Sequence, residues 1–393
     1  LKTIQLKWLL IGAFIASVGN SFIWPLTSVY LHNDLHQSLT TVGIILLLYS
    51  GANIVGSYAS GWLFDHHNPY HLMLVGVLVA GITTAFLILY HGWPAYPIAL
   101  IFLGLGTGWL MTLTNALGTT IKGRDGRYIF NMLYFCQNLG IVVGTSVVGF
   151  VYSVSLTLPF AIVTAFYVIL LLVVFIKYRP AANIRHSPQR EKTASSIKLS
   201  PVNARVIITV FFALAVVWIM YQQWVSNLSV YMTGMGIPMR DYSLLWTLNA
   251  GLIVVFQILI NWLSQRVRGE FWQIYFGLFF VTLSFFVLIW AHQYRIFVIA
   301  MTVLTIGEAT AFPAIPALVN DLTPMTLKGK YQGLTNAWAS AGKALGPLIG
   351  GLIIEALSYR FLFILAGTTI LMILMMVIYV TQANAKKMTH YQG

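Results

Sequence analysis

The sequence predicts an all-α membrane protein with twelve transmembrane helices in two pseudo-symmetric six-helix bundles. Three observations carry this expectation. Hydrophobic residues make up 59% of the 393 residues and charged residues only 8%, whereas a soluble domain carries about 25% charged residues. Twelve apolar stretches, each near the ~20 residues that cross a hydrocarbon core about 30 Å thick, fill almost the whole chain. The chain also repeats itself at an offset of 200–203 residues.

Taken in order, the spans are expected at 8–31, 40–64, 70–90, 96–119, 128–152, 158–177, 205–232, 242–264, 271–291, 296–318, 331–355 and 360–382. The first carries Ser17, Asn20 and Ser21 and is too long and too polar for a cleaved signal peptide. The stretch between spans 6 and 7 contains Pro180, Ser187, Pro188, Ser195, Ser196 and Pro201, a polar composition that suits a tether. The expected organisation is therefore an N-terminal six-helix bundle over 1–178, a cytoplasmic linker over 179–204 and a C-terminal six-helix bundle over 205–393.

The repeat is read residue by residue. Ser28-Val29-Tyr30 ends span 1 and Ser229-Val230-Tyr231 ends span 7. Gly51 matches Gly251, Trp62-Leu63 matches Trp262-Leu263, and Gly106 to Leu117 matches Gly307 to Leu318. Gly126-Arg127-Tyr128 matches Gly329-Lys330-Tyr331. Repeats of this kind place a substrate site near the midplane and permit rocking alternating access.

The net charge of +13 is not a nucleic-acid signature, because of where the basic residues fall. Eighteen lie at the termini and in alternate loops, seven of them from Lys177 to Arg205 between the bodies of spans 6 and 7, against three (Arg240, Arg295 and Arg360) on the opposite side. This asymmetry obeys the positive-inside rule with both termini cytoplasmic. The lone Cys136 cannot form an intrachain disulfide. His66, His67 and His71 have only Asp65 nearby, so no metal site is expected. No phosphate-binding Gly-x-x-x-x-Gly-Lys-Ser/Thr loop, His-Glu-x-x-His or Gly-x-Ser-x-Gly motif occurs. Neither an enzyme nor a cofactor is therefore expected.

Gly61-x-x-x-Asp65 at the end of span 2 resembles the loop signature of the major facilitator superfamily, and Gln265-Arg266 keeps half of it between spans 8 and 9. Histidines and Pro69 replace the usual basic cluster. Span 11 carries Gly342-x-x-x-Gly346-Pro347-x-x-Gly350-Gly351, similar to the glycine-proline signature that drug–proton antiporters of the superfamily carry in helix 5. Here span 5 has the weaker Gly140-x-x-x-Gly144 form. Small residues four apart let two helix backbones approach closely. Gly307-Glu308 with Pro313, and Tyr134, Gln137, Asn138 and Leu139, resemble segments of the lactococcal-type multidrug antiporter group. Leu133 and Val225 stand where that group carries two further membrane acids. The resemblance implies the major facilitator fold, with gating roles for Gly61, Asp65, Gln265, Arg266, Gly342, Gly346, Pro347 and Gly350.

Of only nine acidic residues, Glu308 alone lies near the centre of a span. A carboxylate at that depth is costly when charged, so it is neutral, paired or facing water. A group whose charge is tolerated in one state and penalised in another can load and release protons, and Glu308 is the candidate proton-coupling residue. The alternative is a protonated glutamate hydrogen-bonded within its bundle. Lys343 is equally deep in span 11. It is read either as an ion-pair partner that shares proton coupling with Glu308, or as a cavity cation that attracts an anionic group. The remaining intramembrane polar and aromatic residues form the candidate substrate site: Asn20, Trp24, Trp109, Asn115, Tyr134, Gln137, Asn138, Tyr221, Gln223, Trp224, Asn336 and Trp338. Aromatic faces take organic cations and planar rings.

The expected function is secondary active transport, a proton-coupled, multidrug-type efflux of amphipathic organic compounds across a bacterial cytoplasmic membrane. The expected partners are a small amphipathic organic substrate, protons and membrane lipids, with the protein a monomer. The alternatives are a lipid or lipid-linked flippase, or a carrier of an anionic small solute using Lys343, and less directly a non-transporting sensor.

Overall fold

In a computed structural model the described residues are 4–121, 126–183, 199–264, 270–324 and 327–391. Among them the regular structure is helical, and the fold is that of an all-α membrane protein. The long helices are α1 (Leu6–Val29), α2 (Leu39–His66), α3 (Pro69–Leu89), α4 (Ala95–Thr119), α5 (Gly126–Val154) and α6 (Leu158–Lys177). They are followed by α7 (Pro201–Gln222), α8 (Met239–Ser264), α9 (Glu270–Leu288), α10 (Tyr294–Asp321), α11 (Lys328–Ala356) and α12 (Tyr359–Asn384). A π turn over Tyr30–Asp34 extends α1, and a second over Gln223–Asn227 carries α7 on into Leu228–Gly234. Among the described residues, eleven of these helices are long and apolar enough to cross a membrane.

Local sequence sets the helix starts. Ser38, Asn68, Ser200 and Ser358 accept hydrogen bonds from the backbone N–H of Thr41, Tyr70, Asn203 and Phe361. These are N-cap contacts that satisfy donors left open in the first helical turn. Pro69 and Pro201 follow two of the caps, where the missing N–H costs nothing. The Ser200–Pro201 pair starts α7 four residues before the expected 205, and Asn68-Pro69 makes the histidine-containing loop a helix start. The expected linker 179–204 lies for the most part outside the described residues, which include a short 3-10 helix over Arg179–Asn183.

The chain divides into two compact units, one of Leu1–Pro188 with Met232–Thr247, the other of Gln189–Tyr231 with Leu248–Gly393. The boundary thus differs from a single cut within the linker. The reason is contact made by the end of α7 and the start of α8: Asn33 Nδ2 donates to Thr233 Oγ1 at 3.1 Å, and the Ser146 and Thr247 hydroxyls lie 2.9 Å apart.

The internal repeat reappears as packing, within each unit separately. In the first unit Gly106 abuts Ala80, and Gly76 abuts Trp109 and Leu110; in the second Gly307 abuts Val281, and Gly277 abuts Thr310 and Ala311. Gly140 and Gly144 of α5 press on Phe14, Ser17, Val18 and Ser21 of α1. Gly342 and Gly346 of α11 press on Ala215, Trp218, Ile219 and Gln222 of α7. Every one of these positions has its counterpart 201 or 202 residues on. Glycine is needed at such contacts because a Cβ would meet the neighbouring helix's backbone or side-chain atoms. Leu78, Ile82, Phe102, Met372 and Met375 are exposed instead, which suits a surface solvated by lipid chains rather than water.

The α2–α4 contact shows the constraint most clearly. A Cβ at Gly108 would fall on the Asn53 carbonyl oxygen, one at Gly104 on that of Tyr49, and one at Gly56 on that of Leu105. Gly108→Val is therefore expected to lower stability by at least roughly 2 kcal/mol, read as an earlier thermal transition of the purified protein in detergent. Gly251→Ala, where a Cβ meets nothing within 4 Å, should leave the transition in place.

Candidate functional site

Glu308 is the focus of a polar and aromatic cluster whose residues, from α7, α8, α10 and α11, all belong to the second unit. Tyr221 donates its hydroxyl to Glu308 Oε2 at 2.9 Å, and Asn249 Nδ2 donates to the same oxygen at 2.9 Å. Asn249 is buried, and its Nδ2 also donates to Thr305 Oγ1 at 2.9 Å. Thr305 lies three residues before Glu308 and so shares its helix face. The second carboxyl oxygen, Oε1, receives no hydrogen bond from the described residues. One oxygen is thus anchored by two donors.

An aromatic trio flanks the carboxyl group. Trp218 and Tyr221 lie edge to face with centroids 5.0 Å apart, Trp218 and Phe312 at 4.7 Å, and Tyr221 and Phe312 at 5.5 Å. The spacing explains the convergence: Trp218 precedes Tyr221 by three residues and Phe312 follows Glu308 by four, each pair sharing one helix face. Lys343 enters from α11 with its Nζ 3.9 Å from the Trp218 ring centroid. Pro347 removes the N–H that would bond the Lys343 carbonyl in a regular helix, and Gln222 Nε2 donates to that carbonyl at 3.3 Å. Such substitute donors are what tolerance of proline within a membrane helix requires.

The ion pair is one of two readings of Lys343. Among the described residues the salt bridges are Arg240–Asp241 and His390–Asp321, and there is no direct one between Glu308 and Lys343. Lys343 rests on the indole face, a cation–π position, rather than on the carboxylate.

The first unit holds the repeat counterpart of this cluster. Tyr49 donates to Asn20 Oδ1 at 3.2 Å, and Asn53 Nδ2 to Thr107 Oγ1 at 3.1 Å. Asn20, Tyr49 and Thr107 stand 200 or 201 residues before Tyr221, Asn249 and Glu308. Asn20, Asn53 and Thr107 border a cavity of 170 Å³ also lined by Ser17, Thr114 and Gln137, and none of its lining residues is charged. One fold position therefore carries a carboxylate in one unit and a hydroxyl in the other.

The other sequence-predicted residues fall in several places. Asn20 and Gln137 line the first unit's cavity, and Tyr221 holds Glu308. Trp109 donates its Nε1 to the Leu72 carbonyl at 2.9 Å, tying α4 to α3. Gln223 and Trp224 are buried in their own unit. Gln223 Nε2 donates to the carbonyls of Ile219 and Gly346, and its Oε1 accepts from Asn227 at 2.6 Å. Both residues thus pack α7 within its unit. Asn115 and Asn138 are half-buried, while Asn336 and Trp338 are exposed, Trp338 stacked on Phe211. The side chains of Trp24, Tyr134 and Asp65 and the whole of Gln265 and Arg266 lie outside the described residues. Gly342, Gly346 and Gly350 seat α11 on α7. Pro347 lies inside α11, and a Cβ at Gly61 would make only ordinary contact with Thr112. Asn249, Trp218, Phe312 and Thr305 were not singled out by sequence, although helical spacing from Tyr221 and Glu308 points to the last three.

Comparison with known proteins agrees with this architecture. The chain is 33% identical over 360 residues to YttB, an uncharacterized MFS-type transporter of Bacillus subtilis (strain 168), covering 90% of this chain and 89% of the relative. It is 22% identical over 372 residues to Multidrug resistance protein 1 of the same organism, covering 92% and 93%. A crystal structure of a POT family transporter in complex with 5-aminolevulinic acid superposes with a TM-score of 0.83 at 14% identity, covering 97% of this chain and 96% of that one, a likeness of fold. The sequence profile of the Major Facilitator Superfamily matches residues 9–292 and 236–390, and the chain is a multi-pass membrane transporter belonging to that superfamily.

Proposed function

We propose that this transporter exports amphipathic organic compounds across a bacterial cytoplasmic membrane in exchange for protons, with Glu308 as the proton carrier. The observation that carries the reading is the asymmetry of the Glu308 carboxyl group: Oε2 is held by Tyr221 and Asn249 while Oε1 accepts no hydrogen bond from the described residues. A carboxyl group fixed in place but free on one oxygen can gain and lose a proton without rebuilding its surroundings. The aromatic trio beside it offers stacking surface to planar or cationic organic groups. The first unit's cavity offers neutral amides and hydroxyls, including Asn20 and Gln137. The name of the Bacillus relative, Multidrug resistance protein 1, agrees with a drug-like substrate.

In the proposed cycle Glu308 takes a proton from outside and releases it to the cytoplasm, and the ionised carboxylate then favours a cationic substrate that leaves to the outside. Gly342, Gly346 and Gly350 keep α11 tight on α7 while the access changes, and both termini stay cytoplasmic.

The test is the wild-type protein in liposomes with a pH-reporting dye inside and cationic, neutral and anionic amphiphiles supplied outside. Cation-evoked proton movement is the expected result; no proton movement with any compound would overturn the reading. A second reading is favoured by one observation: Lys343 is exposed and without a carboxylate partner among the described residues. It could then serve an anionic solute or a lipid phosphate. In that case Lys343→Ala would abolish transport, with binding lost for anionic compounds only.

A further inference from the structure

The contact of Lys343 with Trp218 is not something the fold requires. In the first unit the counterparts of Trp218, Phe312 and Lys343 are Ser17, Met111 and Ile141, 201 or 202 residues earlier. The surrounding glycine contacts are the same in both halves: Gly140 rests on Ser17 as Gly342 rests on Trp218. The same backbone packing thus forms with no cation and no aromatic face. In the second unit an ammonium stands over the Trp218 ring, which Tyr221 and Phe312 flank.

The position of that ammonium is the second observation. A lysine at membrane depth ordinarily pairs with an acid or reaches for the interface. Here an acid is available in Glu308, yet Nζ lies 3.9 Å from the Trp218 centroid and forms no direct pair with the carboxylate. Trp218 is itself braced edge-on by Tyr221 and packed by Phe312, so the face exists independently of the lysine. Lysine has a flexible four-carbon stem and a compact charge, which suits a group that can leave such a face and return.

We propose that the Trp218–Tyr221–Phe312 face is a binding site for an ammonium or other organic cation, and that Lys343 is its tethered occupant, displaced when substrate binds. This deepens the efflux reading and rests on it for the presence of a substrate at this site. The exchange is of like for like: one positive charge leaves the ring as another arrives, so a cation stands near Glu308 throughout. Lys343 sets a threshold, since a ligand must outcompete an intramolecular cation, and neutral or anionic compounds gain no cation–π attraction from the ring.

The test is equilibrium binding of tetraphenylphosphonium to the full-length protein in detergent by calorimetry, with no pH gradient. Lys343→Met should bind about tenfold more tightly than wild type, the scale of one cation–π contact. Lys343→Arg, which keeps an occupant, should match wild type, and Trp218→Ala in the Lys343→Met background should remove the gain. Unchanged or weaker binding by Lys343→Met, or a gain that persists without Trp218, overturns the proposal. A measurement on the unmodified protein keeps it falsifiable if a variant fails to fold. Saturating tetraphenylphosphonium should speed labelling of Lys343 by an amine-reactive reagent, read by mass spectrometry, whereas unchanged or slower labelling contradicts displacement. Neither readout depends on proton coupling, so loss of coupling at Glu308 and failure of this proposal are separate results.

Discussion

Replacing Glu308 with Gln is expected to reduce proton-driven transport to the background leak while leaving the fold in place. The geometry gives the reason for both halves of this result. Tyr221 and Asn249 donate to the same oxygen, Oε2, and the single amide oxygen of glutamine can accept both. The amide nitrogen then takes the place of Oε1, which makes no bond that must be kept among the described residues. The change in stability should therefore stay within roughly 1–2 kcal/mol, the difference between charged and neutral hydrogen bonds. Glutamine cannot load or release a proton in this range, so substrate movement becomes uncoupled. Tyr221 and Asn249 have no such chemistry, and their removal should shift the coupling rather than end it.

The second large effect is structural. Gly350→Val should prevent recovery of folded, monodisperse protein. A Cβ at Gly350 would fall on Gln223 Oε1 and on Asn227 Nδ2. Those two amides form a buried pair, and Gln223 Nε2 also donates to the Gly346 carbonyl at 2.9 Å. The valine would both overpack the contact and break buried hydrogen bonds. Overpacking costs about 1–3 kcal/mol, and each buried polar group left without a partner about 1–3 kcal/mol more. Together these approach the total stability of many domains. Size-exclusion chromatography and a thermal scan check the outcome; a variant that behaves as wild type would show that the Gln223–Asn227 pair does not lock α7 to α11.

Much of the fold was legible because membrane helices announce themselves by length and apolarity, and because the halves repeat at a nearly constant offset. That offset became physical when Gly140 and Gly342, or Gly106 and Gly307, were found against equivalent neighbours. Glu308 was legible too, since a central acid in a span has few structural uses. The surroundings were less so. Residues 221–224 are contiguous, and at 3.6 residues per turn they cover most of a helix circumference, so they cannot all face one cavity. Tyr221 meets Glu308, while Gln223 points some 200° away and is spent on packing. Trp218, one turn back, is the residue that shares the face of Tyr221. The resting place of Lys343 depends on helix rotation and on Pro347, and composition does not report either. The grouping of Met232–Thr247 with the first unit arises from hydroxyl and amide contacts between residues about 100 or more apart in sequence, for which no local pattern exists.

The most direct measurement is substrate-evoked proton flux in proteoliposomes, comparing wild type with Glu308→Gln at matched protein content. The wild type should move protons when an organic cation is supplied, and the variant should move none while still exchanging substrate down its own gradient. Undiminished proton flux in Glu308→Gln would contradict the assignment of Glu308 as the proton carrier.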